Sequence, residues 1–140
     1  MTDLTHASFF SGVGGLDLGL ARAGWTTVSF SEIDPYANAV LASRWPGVPN
    51  LGSIVQLASG ERGGSDIRGE PDGAVVHDAD GWATATLWSG GFPCQDLSVA
   101  GKRAGLAGER SGLAFAFLDL VERHQPRWLL LENVPGLLSS

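Results

Sequence analysis

The 140-residue sequence predicts an α/β fold, a mostly parallel, doubly wound sheet with helices on both faces. Three observations carry that prediction. From Ala7 to Asp34 the chain reads as a strand, a glycine-rich turn, a helix and a second strand that ends in acids. The lone cysteine, Cys94, sits between Pro93 and Gln95 just after an apolar run. A fully apolar stretch, Trp128 to Leu131, then delivers Glu132. Parallel strands bring their C-terminal ends to one edge of a sheet, where open α/β folds keep their ligands.

This length suits one domain with a real core, and a hydrophobic content of 44% can fill it. No apolar run approaches the roughly 18 residues of a membrane span. Met1 to His6 carries no basic leader region. A single cysteine forms no internal disulfide and is best kept in a reducing compartment, so the expected location is the cytoplasm. The net charge of −6 argues against a chain that alone grips nucleic acid non-specifically.

Taken in order, Ala7 to Phe10 reads as a short buried strand stopped by Ser11-Gly12-Val13-Gly14-Gly15. Leu16, Leu18, Leu20 and Ala21 begin a helix that Gly24 ends. Thr26 to Phe30 is β-branched and aromatic, hence a second strand, finishing at Ser31-Glu32-Ile33-Asp34. Pro35 suits the first turn of a helix running to Trp45. The glycines allow a ligand close to the backbone, and the helix start behind them favours an anion. Glu32 stands where a carboxylate accepts hydrogen bonds from ribose hydroxyls. The turn reads G-x-G-G rather than G-x-G-x-x-G, which leans away from a pyrophosphate and toward a smaller nucleoside cofactor.

Ser53 to Leu57 finishes a third strand or begins a short helix. A loop insertion is expected at about 58–83, rich in Gly, Ser and charge from Gly60 to Gly73. Ala74 to His77 and Trp82-Ala83 suggest a small hairpin within it. Asp78 and Asp80 lack the Glu of a calcium loop, and His6, His77 and His124 have no ligand spacing, so no metal site is expected. Ala85 to Ser89 is the next strand, and a basic, glycine-rich loop follows from Asp96 to Gly112. Leu113 to Arg123 is a helix with Leu113, Phe117, Leu120 and Val121 facing inward. Glu32, Cys94 and Glu132 are thereby expected at one crevice. A thiol at a strand end followed by such a loop suits a nucleophile, although Cys94 taken alone reads better as a buried structural residue.

These stretches together resemble the DNA (cytosine-5) methyltransferases, over nearly the whole chain apart from Gly60 to Trp82. Phe10 to Gly15 is similar to their first motif, Ser31 to Asp34 to the acidic motif, Gly91 to Gln95 to the Pro-Cys-Gln motif and Glu132-Asn133-Val134 to the Glu-Asn-Val motif. The resemblance implies a Rossmann-like fold that uses S-adenosylmethionine, truncated here after the fifth strand. It implies Cys94 as nucleophile and Glu132 as its acidic partner at the target ring. Phe10, Gly12, Gly14, Gly15, Glu32, Ile33, Asp34, Ser53, Ile54, Pro93 and Leu113 would then hold the cofactor. Gln95, Ser98, Lys102, Arg103, Arg110 and Asn133 would serve the substrate, double-stranded DNA with a flipped cytosine. A solvated loop face is the alternative for Lys102 and Arg103, and core packing for Phe10 and Leu113.

The sequence departs from the family pattern in places. Ser8 stands where an Asp usually precedes the Phe, and Gly52-Ser53-Ile54 replaces Gly-Asp-Ile. The Gln-Arg-Arg motif and the target-recognition domain are absent, so the expectation is the catalytic half of a split or truncated enzyme, with a second polypeptide supplying the rest. The alternatives are a tRNA cytosine-5 methyltransferase, against which Phe92 argues, and an inactive cofactor-binding fragment.

Overall fold

The computed structural model describes residues 3–60, 81–92 and 111–132. Four strands, β1 (Thr5–Phe9), β2 (Thr26–Ser31), β3 (Leu87–Gly90) and β4 (Trp128–Leu131), form one sheet in the order β2-β1-β3-β4. All three pairings are parallel. The helices are α1 (Gly15–Arg22), α2 (Pro35–Arg44), α3 (Ile54–Ser59) and α4 (Ser111–His124). None of the described helices is long and apolar enough to cross a membrane.

Local chemistry sets the element ends. β1 runs from Thr5 and stops one residue before the expected end, because Phe10 turns into the left-handed region at φ 53°. Asp34 caps α2, its Oδ1 accepting from the Ala37 N–H at 2.8 Å, and Pro35 opens the first turn, where a missing N–H costs nothing.

β1 is central, and its alternation separates the two faces of the sheet. His6 and Phe9 are an odd number of residues apart and so point to opposite sides. On one side Phe9 packs against Trp88 (ring centroids 4.8 Å) and against Phe117 of α4 (5.2 Å). Trp82 joins that cluster, 5.6 Å from Trp88. On the other side His6 meets Asp17 of α1.

Of the two alternatives for Ser53 to Leu57 the short helix holds, with Ser53 at its N-cap, and the third strand is a single parallel bridge between Phe30 and Asn50. The Phe30 N–H donates to the Pro49 carbonyl at 2.9 Å and the Leu51 N–H to the Phe30 carbonyl at 2.7 Å, and side-chain bonds add to this bridge. Asn50 Oδ1 accepts from the Glu32 N–H at 3.0 Å, and Asn50 Nδ2 donates to the Glu32 carbonyl at 3.0 Å. Trp82-Ala83 is a turn rather than a hairpin arm, because the Trp82 ring is drawn into the core and its carbonyl accepts from Trp88 Nε1. The other arm, Ala74 to His77, lies outside the described residues. β4 spans the predicted residues yet is the edge of the described sheet, with Trp128 59% and Leu130 39% exposed.

Candidate functional site

Because the strands are parallel and in register, four termini meet at one edge. Phe9 lies opposite Ser31 and Gly90, and Gly90 lies opposite Leu131. The residues that follow are Phe10, Glu32, Gly91 and Glu132.

The glycine turn is held from below. Ser11 Oγ donates to the Ser8 carbonyl at 3.1 Å, and the Gly14 N–H donates to the Ser11 carbonyl at 3.1 Å. Gly14 caps α1 at φ 80°, and a Cβ there would stand 2.6 Å from the Trp45 ring. Only glycine fits both demands. At Gly12 and Gly15 a Cβ would meet nothing within 4 Å, so the backbone is open on that side.

Glu32 closes the edge between β2 and this turn. Its Oε2 accepts from the Gly12 N–H at 2.8 Å, and Oε1 accepts from the N–H groups of Ile33 and Asp34, each at 2.8 Å. Ile33 and Tyr36 stand exposed beside it. Asp34 is given to the helix cap. Phe10 packs edge-on to Phe92 (6.4 Å) and Phe117 (6.0 Å). Leu113 packs half-buried against the same core, and the Ile54 side chain is buried in it. Ser53 precedes α3 and makes no side-chain cap bond.

At the other end of the edge, the Glu132 N–H donates to the Gly90 carbonyl at 3.0 Å. Glu132 also lies over Gly91, where an added Cβ would be 3.1 Å from its Oε2. Gly91 precedes Cys94 by three positions in sequence. Pro93, Cys94, Gln95, Ser98, Lys102, Arg103, Arg110 and Asn133 lie outside the described residues.

Residues 4–140 match the family of C-5 cytosine-specific DNA methylases. The chain belongs to that family. Among its relatives, Type II methyltransferase M2.BsuMI of Bacillus subtilis (strain 168) is 40% identical over 94% of this chain and 29% of its own length. The DNA N-6-adenine-methyltransferase of Escherichia phage P1 is 35% identical over 100% of this chain and 18% of its own. The crystal structure of the S. pombe Dnmt2 methyltransferase shares the fold at a TM-score of 0.63 and 21% identity, covering 98% of this chain and 36% of that one. The fold is thus the Rossmann-like one of S-adenosylmethionine-dependent methyltransferases, and the chain spans about a third or less of the length of these three proteins.

Some residues at and beneath this edge are not evident from the sequence. Asn50 ties Glu32 to the chain before α3, and only its place between Pro49 and Gly52 hinted at a fixed turn. His6 and Asp17, buried under the glycine turn, were not singled out as a pair. An acid among the leucines of an amphipathic helix was the available signal.

Proposed function

We propose that this chain carries the cofactor- and thiol-bearing part of an enzyme that methylates C5 of cytosine in double-stranded DNA, using S-adenosylmethionine and a covalent bond from Cys94 to C6. The observation that carries the reading is the single edge shared by the glycine turn, Glu32 and Glu132, with Glu132 over Gly91 just ahead of the thiol in sequence.

The chain's residues suit that cofactor. The open backbone at Gly12 and Gly15 admits it, exposed Ile33 offers an apolar surface to a base, and Phe10 is assigned to the same base from its place beside Phe92. Glu32 faces the ribose position, and a carboxylate has about four acceptor sites, of which its three amide bonds use three. Gly14, Asp34, Ser53, Ile54, Pro93 and Leu113 complete the set. When bound, S-adenosylmethionine supplies an electrophilic methyl group on a sulfonium.

Carbon C5 of cytosine is a weak nucleophile, so the chain must first enrich it. The Cys94 thiolate bonds to C6 while the displaced ring electrons are taken up toward N3, where Glu132 holds a proton. C5 takes the methyl group, then gives its proton to a base, and the C6–S bond breaks to release the thiolate. The base must leave the duplex for this to happen. Gln95, Ser98, Lys102, Arg103 and Arg110 are assigned to the DNA, and Asn133 to holding the loop around Cys94. Further DNA contacts are assigned to the portion that the longer relatives carry beyond the match, on the same or a second polypeptide. An exocyclic amine brings its own lone pair and needs no thiol, so Cys94 favours carbon over the adenine amine.

The test is trapping on duplex DNA containing 5-fluorocytosine, with the chain alone and with the C-terminal part of M2.BsuMI added in trans. A denaturant-stable adduct that needs both S-adenosylmethionine and Cys94 is expected in the complemented reaction. The proposal fails if neither mixture gives an adduct, or if Cys94→Ser gives as much.

A further inference from the structure

On the α1 side of the sheet lies a polar cluster that the proposed reaction does not use. His6 is fully buried, and Asp17, in the first turn of α1, is 1% exposed. His6 Nδ1 stands 3.6 Å from Asp17 Oδ1 and 3.2 Å from Thr27 Oγ1, while Nε2 stands 2.7 Å from Ser89 Oγ. One imidazole on β1 thus touches β2, β3 and α1. Asp17 is the one fully buried residue of α1, where an amphipathic helix would place a leucine. Among the described residues no second carboxylate comes within 4.0 Å of the ring, and hydroxyls face it from β2 and β3.

Among the described residues, neither oxygen of Asp17 has a hydrogen-bond partner. A bare carboxylate in so dry a place is strongly disfavoured unless a proton neutralises it. That proton sits on Asp17 beside a neutral imidazole, or on His6 beside an ionised Asp17. Both arrangements hold one proton and no net charge. Burial favours the first, lowering His6 to about 4 and raising the Asp17 carboxyl. The nearby Ser8 hydroxyl and the backbone amide of Asp17 pull the carboxyl weakly the other way, without reaching hydrogen-bond geometry.

We infer that His6 and Asp17 share a single proton and act as positioning residues, clamping the helix that starts at the glycine turn to the strand that runs on toward Cys94. The path is short on both sides. Asp17 follows Gly15 by two positions, and Ser89 is followed directly by Gly90-Gly91-Phe92-Pro93-Cys94. The part of this inference that concerns catalysis rests on the reaction proposed above; the shared proton does not.

The sign of the pH dependence follows. Between about 4 and 6.5 the folded pair holds one proton, and the unfolded chain holds one too, on the His6 imidazole, so the contributions cancel. Above 6.5 the unfolded imidazole is neutral and unfolded Asp17 already ionised, so a proton held by the folded pair is one that the unfolded chain lacks. Unfolding then releases a proton, and its equilibrium constant rises by up to about tenfold per pH unit until Asp17 ionises in the fold.

Urea unfolding of the full chain and of Asp17→Asn between about pH 5 and 9 reads this difference, because every other group titrates in both. The expected result is a wild-type curve that steepens above neutrality relative to the variant; parallel curves overturn the shared proton. Should the variant fail to fold, the carboxyl ¹³C shift of Asp17 in the wild type decides. No titration in the ordinary carboxylate range is expected, and an ordinary titration there overturns the inference. For positioning, wild-type affinity for S-adenosylmethionine should weaken several-fold as pH rises past neutrality, while Asp17→Asn is flat. Identical pH profiles overturn the positioning role alone. A chain that folds with the predicted pH curve yet binds no S-adenosylmethionine at any pH overturns the proposed reaction and the positioning role, and leaves the shared proton standing.

Discussion

The Glu32 carboxylate reaches across the edge of the sheet to Gly12, whose N–H donates to Oε2 at 2.8 Å. Its other oxygen gathers the N–H groups of Ile33 and Asp34. One side chain therefore fixes both the glycine turn and the start of the segment leading into α2. Each backbone bond contributes about 1 kcal/mol net. Glu32→Ala should destabilise the chain by about 2–3 kcal/mol and reduce S-adenosylmethionine affinity by at least about tenfold. Glu32→Gln keeps an acceptor and should recover part of the stability. Urea unfolding and calorimetric titration check the two effects separately, and an Ala variant with unchanged affinity would remove Glu32 from the cofactor site.

Gly12 and Gly14 of the turn should respond differently to the same change. Gly12→Ala meets no atom within 4 Å and carries only the cost of its φ of +55°, about 1–2 kcal/mol. Gly14→Ala adds a clash at 2.6 Å with the Trp45 ring, so about 2–5 kcal/mol is expected in all. The comparison is a pair of urea midpoints at constant m. Equal shifts would mean that Trp45 moves aside freely.

What the sequence disclosed, and what it hid, divides by range. The glycine turn, Glu32 and the Pro35 helix start were legible because their chemistry is local, set by backbone freedom, an acid at a strand end and a proline at N1. The His6–Asp17 pair was hidden because it depends on how α1 lies across β1, and an acid between leucines reads as a solvent-facing position. Asn50 adds side-chain bonds to Glu32 beside a one-residue backbone bridge, which no alternation pattern encodes. The residues of β4 were found correctly, yet an apolar run reports only that its faces prefer cover, not what supplies it. The expected meeting of Cys94 with Glu132 falls outside the described residues; the register of β3 and β4 is what the structure adds to it.

Neighbouring glycines before the thiol separate stability from chemistry. A Cβ at Gly90 would lie 3.0 Å from the Phe117 ring, which is fully buried and has little room to yield. Gly90→Ala should cost about 1–3 kcal/mol. At Gly91 the neighbour is the far end of the Glu132 side chain, at 3.1 Å, and it can swing away. Gly91→Ala should therefore change stability by no more than about 0.5 kcal/mol while lowering kcat by about tenfold or more, through displacement of the acid. Thermal unfolding and methyl-transfer kinetics read the pair, and a fully active Gly91→Ala enzyme would count against Glu132 as the group at the target ring.

β4 is the place where the described sheet meets solvent with the wrong chemistry. Its residues alternate between the two faces, yet Trp128, Leu129, Leu130 and Leu131 are all partly exposed, so apolar surface reaches solvent on both faces of the described sheet. One edge pairs with β3, and the other pairs with no described strand. Exposed apolar edges recruit further strands, and the net charge of −6 opposes that only weakly once salt screens it. The chain by itself should associate at tens of micromolar, the range in which such surfaces aggregate. Leu129→Lys with Leu130→Lys places one charge on each face and should return it toward a monomer, with little cost to the fold because neither side chain is buried. Sedimentation velocity over a concentration series decides. A wild-type chain that stays monomeric throughout would show that β4 is already covered.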